Sequence, residues 1–551
     1  MKVYDAIARA VIDEQVDSIF VLLGSSNMQT LASILRQGGP TLYHGRHEGA
    51  VIGMTEGYAR SSGKVGIASV TSGPGVANTT DALISAVRAR TPMVLITGNP
   101  ESRSHNQHLD QEAFATLVGA GYVDVPSASG CVDAVKAAFY MARSERRPVL
   151  LDLGRRLQEQ EYTWRYEYEP SQASLVRPQR MQPDPSAVAA AVELIAGAER
   201  PVVIAGEGAY DADARAAILE LAEYLGALLG TSLNVKNWFA DQAFNLGIAG
   251  LYSSRYAAEL YAEADLVIGV GASLNHYTTE GGYMFPSARI IQLDTRAELL
   301  TGTGKPADCY VRGDARSTVE ALVTAVRARN LGGQRFRTGE VRAQIAVGER
   351  DPDPARFDIE NGRADPRRIL EVVDAEFPDD AGIVVAGGHG AGLAHVSLRK
   401  WRHPQLYTSA FGSIGVAFPM ALGMAVGQPG RPVLHIEGDG SMMMNLHTFD
   451  TLAAYDLPVF TIVLNDSAFS SEVHQLIAKD FDPAIAYLRD VDFAAVARDF
   501  GCRSAVVRDE QDMKQAIAQF RDRPGPYIVD ARISRQVISV ASRRLHYGIE
   551  A

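Results

Sequence analysis

The chain has 551 residues, of which 46% are apolar and 21% charged, with a formal net charge of −12. That length is too great for one ordinary core and predicts about three domains of globular composition. The acidic balance, with no basic run, argues against a nucleic-acid or anionic-membrane surface. The cysteines Cys131, Cys309 and Cys502 are scattered and form no CxxC pair, as expected in a reducing compartment. No run of ~18 apolar residues predicts a membrane span. The start, Met1-Lys2-Val3-Tyr4-Asp5, lacks a signal-peptide apolar core, so a cytoplasmic enzyme is the expectation.

Short β-branched runs alternate with amphipathic stretches, the pattern of an α/β protein with parallel sheets. Ser18–Leu23, Val65–Val70, Met93–Thr97 and Val149–Leu153 are predicted strands, apolar enough to be covered on both faces. A polar stretch over Gly154–Pro185 predicts a linker. Pro201–Ala205, Ala264–Val270 and Ile290–Asp294 are the strands predicted next. Gly206-Glu207-Gly208 is only part of a dinucleotide fingerprint and reads as a strand-to-helix turn. A second linker is predicted over Asn330–Asp365, around Asp351-Pro352-Asp353-Pro354. Leu434–Glu437 and Pro458–Leu464 are strands of the last segment. The expected organisation is three doubly wound parallel-sheet domains, 1–160, 186–330 and 366–535, the outer two without an obvious sequence repeat.

In the last segment a strand runs into Gly438-Asp439-Gly440, and a helix is predicted from Ser441 onward. Glycines let the backbone approach a phosphate, and the first amides of a helix favour one. A phosphate group held there still needs a hard cation, and Mg²⁺ takes oxygen ligands, with Asp439 the first candidate. Roughly two dozen residues later the next strand delivers Asn465-Asp466. This spacing resembles the signature of the thiamin-diphosphate-dependent decarboxylases and carboligases. The resemblance implies Asp466 and the backbone carbonyl of Ala468 as further metal ligands. It departs from the family at Asp466, where a carboxylate stands for the second amide of an Asn pair.

Arg46-His47-Glu48-Gly49, followed by Glu56-Gly57-Tyr58-Ala59-Arg60, resembles the activating helix of the same family. There the glutamate shares a proton with the aminopyrimidine ring, whose imino form becomes the base beside the thiazolium. That chemistry needs a carboxyl group whose pKa is raised by an apolar site. Gly73-Pro74-Gly75, with Asn78 at a helix start, resembles the turn of the pyrimidine-binding domain. Phe411-Gly412-Ser413-Ile414-Gly415 resembles the loop whose apolar side chain, here Ile414, keeps the cofactor bent. Ala386-Gly387-Gly388-His389 resembles the loop beside the diphosphate. The cofactor set implied is Glu48, Gly73, Asn78, Gly388, His389, Gly412, Ile414, Gly438, Asp439, Gly440, Ser441, Asp466, Ala468 and Phe469. The three domains become pyrimidine-binding, central Rossmann-like and pyrophosphate-binding. In the family the two halves come from different subunits, which implies a homodimer, commonly a homotetramer.

Side chains over the thiazolium decide the reaction. Ser25, in Gly24-Ser25-Ser26-Asn27, matches the serine that binds the substrate carboxylate in benzoylformate-type decarboxylases, whereas Thr71 stands where those carry a histidine. His105 and His108 are three apart where pyruvate decarboxylases have an adjacent pair. Asp110-Gln111 resembles benzaldehyde lyase and related carboligases. Glu472, six residues after Asp466, matches a catalytic glutamate of pyruvate decarboxylases. His389 is a further candidate for substrate contact, and Phe469 and His474 are expected to line the pocket. The whole chain most resembles the acetolactate-synthase-like branch, without a strong flavin signature. The expected activity is a lyase or carboligase acting on a small 2-oxo acid, with an aldehyde or ketone acceptor. Three alternatives stand beside it. A decarboxylase of aromatic 2-oxo acids rests on Ser25. An acyl-CoA lyase or decarboxylase, of the 2-hydroxyacyl-CoA or oxalyl-CoA type, needs a CoA phosphate site, for which the tail Ala541–His546 offers basic residues, although the same tail also reads as a solvated terminus. An inactive cofactor-binding scaffold is disfavoured by the intact Glu48 and Asp439.

Overall fold

The computed structural model describes residues 1–100, 102–176, 179–296, 301–302 and 304–548. It contains three six-stranded sheets, every described pairing of which is parallel. The first has β1 (Ser18–Val21), β2 (Thr41–His44), β3 (Gly66–Ser69), β4 (Met93–Asn99), β5 (Gly121–Asp124) and β6 (Pro148–Gly154). The second has β7 (Pro201–Ala205), β8 (Leu228–Thr231), β9 (Asn245–Ile248), β10 (Leu266–Val270), β11 (Arg289–Asp294) and β12 (Cys309–Arg312). The third has β13 (Gly382–Val385), β14 (Gln405–Tyr407), β15 (Val433–Gly438), β16 (Val459–Asn465), β17 (Arg503–Val507) and β18 (Tyr527–Arg532). Central strands such as β3, β7 and β10 are buried along their whole length, because helices cover both faces.

The first sheet runs β2-β1-β3-β4-β6-β5 and the third β14-β13-β15-β16-β18-β17, the same order twice. The middle sheet runs β12-β11-β10-β7-β8-β9, the doubly wound order of dinucleotide-binding folds. Gly206 nevertheless serves packing: a Cβ there would lie 2.3 Å from the Gly271 carbonyl oxygen, so the turns after β7 and β10 touch backbone to backbone. The second predicted linker also holds a ten-residue helix, Gly339–Gly348, that its polarity concealed; only Val341 and Ile345 of it are buried.

The first and third sheets share one apolar core, in which Val51, Tyr58 and Leu95 join Phe418, Met420 and Val463. Its centre is the crossing of helix Glu48–Ser62 with helix Ala417–Gly427. Glycines permit the closeness. A Cβ on Gly57 would lie 2.0 Å from the Met420 carbonyl oxygen, and one on Gly423 would lie 1.8 Å from that of Met54.

The basic tail is neither a solvated end nor an open phosphate site. Ser539 caps the last helix, Val540–Tyr547, and Arg543 pairs with Asp353, which also holds Arg367 at 3.2 Å. Arg544 reaches Glu280 at 3.3 Å, and Tyr547 Oη donates to the His474 carbonyl at 3.2 Å. Both arginines are spent on the fold.

Candidate active site

Ligands of open α/β sheets bind at the carboxyl ends of strands, where the strand order reverses. In the third sheet that point lies between β13 and β15. Val385 pairs with Ile436, so the turns Ala386–His389 and Gly438–Ser441 emerge side by side. Gly438 pairs with Leu464, which brings Asn465-Asp466 out at the same level. A cleft of about 280 Å³ opens there. It is lined by Gly388, His389, Gly412, Ile414, Gly438, Asp439, Gly440, Ser441, Asp466, Ala468, Phe469 and Glu472, among others. The residues expected to hold the cofactor and metal in this half, and Glu472, are therefore in one place.

Asp439 and Asp466 are 4% and 5% exposed. Burial first, and Asp466 second, push the Asp439 carboxyl up to about 7. The Gly440 amide donates to Asp439 Oδ1 at 2.8 Å, and the amides of Ser467 and Ala468 also oppose the rise. Burial raises Asp466 to about 6 against a hydrogen bond from Ser470 Oγ and the charges of Arg535 and Arg363. Two neighbouring buried carboxylates are a donor set suited to a hard divalent cation. Among the described residues no group of three or more His, Cys, Asp or Glu side chains comes together as a metal cage. A cation held by this pair takes its other ligands from backbone, ligand or water oxygens. Ser467 sits at φ 58°, in the left-handed region where strain accompanies functional turns.

The helix predicted from Ser441 is only one turn, Asp439–Met442, followed by a 3₁₀ turn at Met443–Asn445. So short a helix has little macrodipole, and individual amides carry any attraction for phosphate. Gly440 is required by packing as well, since a Cβ would lie 2.5 Å from the Phe469 ring. Sequence reasoning missed Glu437. It is 1% exposed, accepts from Ser441 Oγ and lies 3.3 Å from His435. Ser441 Oγ in turn accepts from the Gly415 amide at 2.7 Å, which ties the Gly-Asp-Gly turn to the Ile414 loop. An acid beside a histidine in a strand covered on both faces was the available signal.

His389 begins the helix His389–Ser397, and its Nε2 accepts from the Ser539 amide at 3.0 Å. Burial, then His474 with ring centroids 4.7 Å away, pushes it down to about 3, so it is neutral with its proton on Nδ1. His474 is 3% exposed behind that ring and absent from the cleft lining, contrary to expectation. Phe469 is 37% exposed, and Glu472 is an exposed residue in the first turn of helix Ser470–Ala478.

In the first sheet, Val21 pairs with Ser69, so the turns after β1 and β3 meet at the equivalent reversal. Glu48 opens helix Glu48–Ser62, whose cap His47 accepts the Gly49 amide on Nδ1 at 3.0 Å. Glu48 is 8% exposed, and Asn78 Nδ2 donates to its Oε2 at 3.1 Å. Asn78 ends the short helix Pro74–Ala77 instead of starting one. Gly73 has φ 59° and rests against the Gln107 carbonyl, where a Cβ would lie 2.4 Å away. Ser25 is exposed, whereas Ser26 is buried and bonds Thr71 Oγ1 at 3.1 Å and the Ser72 amide at 2.9 Å. Asn27 accepts the Gly24 amide at 2.8 Å and so holds the proline-free loop. Gln111 is buried and donates to the Gly98 carbonyl at 2.7 Å. No residue of this half lines the cleft at Asp439.

Three family models match the chain in order. Residues 1–118 match the thiamine pyrophosphate enzyme N-terminal TPP binding domain, 188–322 the central domain and 386–531 the C-terminal TPP binding domain. The acetolactate synthase large subunit of Parasynechococcus marenigrum is 30% identical over 508 residues, spanning 89% of this chain and 80% of that protein. The sulfoacetaldehyde acetyltransferase of Castellaniella defragrans is 28% identical over 562 residues, spanning 94% of this chain and 91% of that protein. A chloroplastic acetolactate synthase of Arabidopsis thaliana is 25% identical, spanning 96% of this chain and 80% of that protein. The chain therefore belongs to the thiamine pyrophosphate enzyme family, as an acetolactate-synthase-like, thiamin-diphosphate-dependent enzyme.

Proposed function

We propose that this enzyme is a Mg²⁺-dependent carboligase of the cytoplasm that joins the two-carbon fragment of a small 2-oxo acid, such as pyruvate, to an aldehyde or ketone acceptor. The observation that carries the reading is the buried Asp439–Asp466 pair at the switch point of the third sheet, opposite in role to Glu48 at that of the first. Thiamin diphosphate, when bound, supplies the electron sink for breaking and making the carbon–carbon bond.

The units 1–160, 186–330 and 366–535 divide the work. Asp439, Asp466 and the Ala468 carbonyl hold the cation. Gly388, Gly412, Gly438, Gly440 and Ser441 leave room for the diphosphate, and Ile414 and Phe469 wall the rings. Glu48, oriented by Asn78, holds a proton against the pyrimidine. Ser25 orients the substrate carboxylate, and Gln111, Glu472 and His389 face its oxygen atoms. Glu48 and the cleft at Asp439 are separate in one chain, so a homodimer, or a homotetramer of such pairs, completes the site. The acyl-CoA reading has no support from Arg543 and Arg544, which are paired to Asp353 and Glu280.

The test is incubation of the protein, thiamin diphosphate and Mg²⁺ with a panel of 2-oxo acids, with and without acceptors. The expected result is CO₂ release coupled to an acyloin or acetolactate-type product. Free aldehyde alone would make it a decarboxylase, and silence across the panel would overturn the reading.

A further inference from the structure

The carboxyl ends of β4, β5 and β6 enclose a group of polar side chains of which the proposed reaction uses only Gln111. Asp152, at 6% exposure on β6, accepts from Tyr122 Oη of β5 at 3.1 Å, and Asn99 at the end of β4 also faces it. Asn99 Nδ2 donates to the Leu109 carbonyl at 2.9 Å, which anchors the loop carrying His108. Gln111, just beyond, is bonded to Gly98 beside Asn99. Four buried polar atoms in this region have no hydrogen-bond partner: Asn99 Oδ1, His108 Nδ1, Gln111 Oε1 and Asp152 Oδ1. Native interiors leave few such atoms, so four together mark a place for water or for the polar end of a ligand.

The loop also borders the Glu48 face. Its Gln107 carbonyl packs on Gly73, and a Cβ on Gly75 would lie 3.5 Å from Glu48 Oε1. His108 is half-buried, with Nδ1 turned inward. Burial is the main cause that raises Asp152, to about 6; Asp124 adds to the rise, while Tyr122, Asn99 and His108 oppose it.

We infer that Asp152 and His108 form a water-bridged carboxylate–imidazole dyad on the Glu48 side of the active site, with Asp152 as a positioning residue. The carboxylate accepts, through water, the proton on His108 Nδ1 and leaves Nε2 as an acceptor at the less buried edge. A neighbouring carboxylate selects the imidazole tautomer and strengthens its basicity. Nε2 then takes a proton from a substrate hydroxyl, forming N–H as O–H breaks, and returns it when the bond reverses. Asp152 stabilises the charged ring. The last step rests on the reading of the Glu48 face as half of the active site, whereas the tautomer does not.

The first experiment is therefore independent of activity: ¹⁵N spectra of histidine-labelled protein, with His108 assigned through H108Q. The expected spectrum shows the Nδ1–H tautomer in the wild type and a shift towards the Nε2–H tautomer in D152N. An identical tautomer in the two proteins would overturn the dyad. The second compares rates. D152N is expected to lose about 10- to 100-fold in kcat with cofactor saturation unchanged, and to cost nothing further in an H108Q background. Losses that multiply would overturn it. Should D152N not fold, Y122F removes one donor from the carboxylate and is expected to move the acid limb of kcat to higher pH. An unmoved limb counts against the dyad. A wild-type protein silent on every 2-oxo acid would sink the proposed function, and the spectra would still decide the dyad.

Discussion

The first and third sheets have the same strand order, yet their switch points carry opposite chemistry. The helix after β2, Glu48–Ser62, and the helix after β14, Ala417–Gly427, are topological equivalents, and they are the pair that cross at their glycines. At the first sheet the turns after its first and third strands hold hydroxyls and an amide, Ser26, Thr71 and Asn78, and Asn78 meets the one carboxyl group, Glu48, from the helix after β2. At the third sheet the equivalent turns hold glycines and, with Asp466 from the next strand, two buried carboxylates. One scaffold, used twice, sets the same pocket position. The side chains decide whether that position exchanges a proton or neutralises a diphosphate. No sequence repeat survives, because a parallel sheet covered on both faces asks only for apolar strands and correctly placed turns.

The comparison is broken most severely at its two carboxyl sites. Glu48→Gln is expected to retain cofactor and lose about 10³-fold or more in turnover, followed by steady-state rates beside cofactor titration. Loss of cofactor binding would instead make Glu48 a structural residue. Asp439→Ala is expected to abolish cofactor retention, whereas Asp466→Asn keeps an oxygen ligand and retains it; calorimetric titration with Mg²⁺ present separates the two.

Stability against pH sharpens the contrast. Asp439 and Asp466 have folded-state pKa values raised to about 7 and about 6, so the folded state holds protons that the unfolded chain releases near pH 4. Without metal, the stability from this pair is fully present below about pH 4 and is lost as pH rises through 6 to 7. Melting temperatures in chelator are expected to show that fall, and Mg²⁺ with thiamin diphosphate to remove it. A fall unaffected by metal would assign it to other groups.

Smaller effects follow from the shared scaffold. Gly57→Val is expected to cost about 2–3 kcal/mol in denaturant unfolding, because the Met420 backbone leaves no room for a Cβ. Ser26→Ala is expected to cost about 1 kcal/mol of stability, and Ser25→Ala to leave stability alone while raising KM severalfold. Equal behaviour of the two serines would undo their separation into buried strut and exposed contact.

Much of the fold was legible locally. Pro201–Ala205 was predicted to the residue, and β4, β6, β11, β15 and β16 within two, because doubly covered strands are continuous apolar runs between turn signals. Edge strands such as β2, β14 and β17 are short or partly exposed and gave no such run. The predicted helix after Ser441 failed because three methionines in a row carry helix propensity but here follow a turn that the cleft cuts short. His474 was expected on the pocket wall, but helix Ser470–Ala478 turns it behind His389, a matter of rotation that spacing from Asp466 does not specify.

The sequence by itself determined the three α/β units, the family and the turns that carry Asp439, Asp466 and Glu48, because strands, glycine turns and helix starts are written in adjacent residues. Only the tertiary structure decided what those turns face. Strand order and register brought Asp439 beside Asp466 and His389 under Ser539, spent the tail arginines on Asp353 and Glu280, and kept Glu48 out of the Asp439 cleft. Contacts between residues far apart in the chain depend on which strands pair and which helices cross, and that follows from the burial of whole faces, which no short segment encodes.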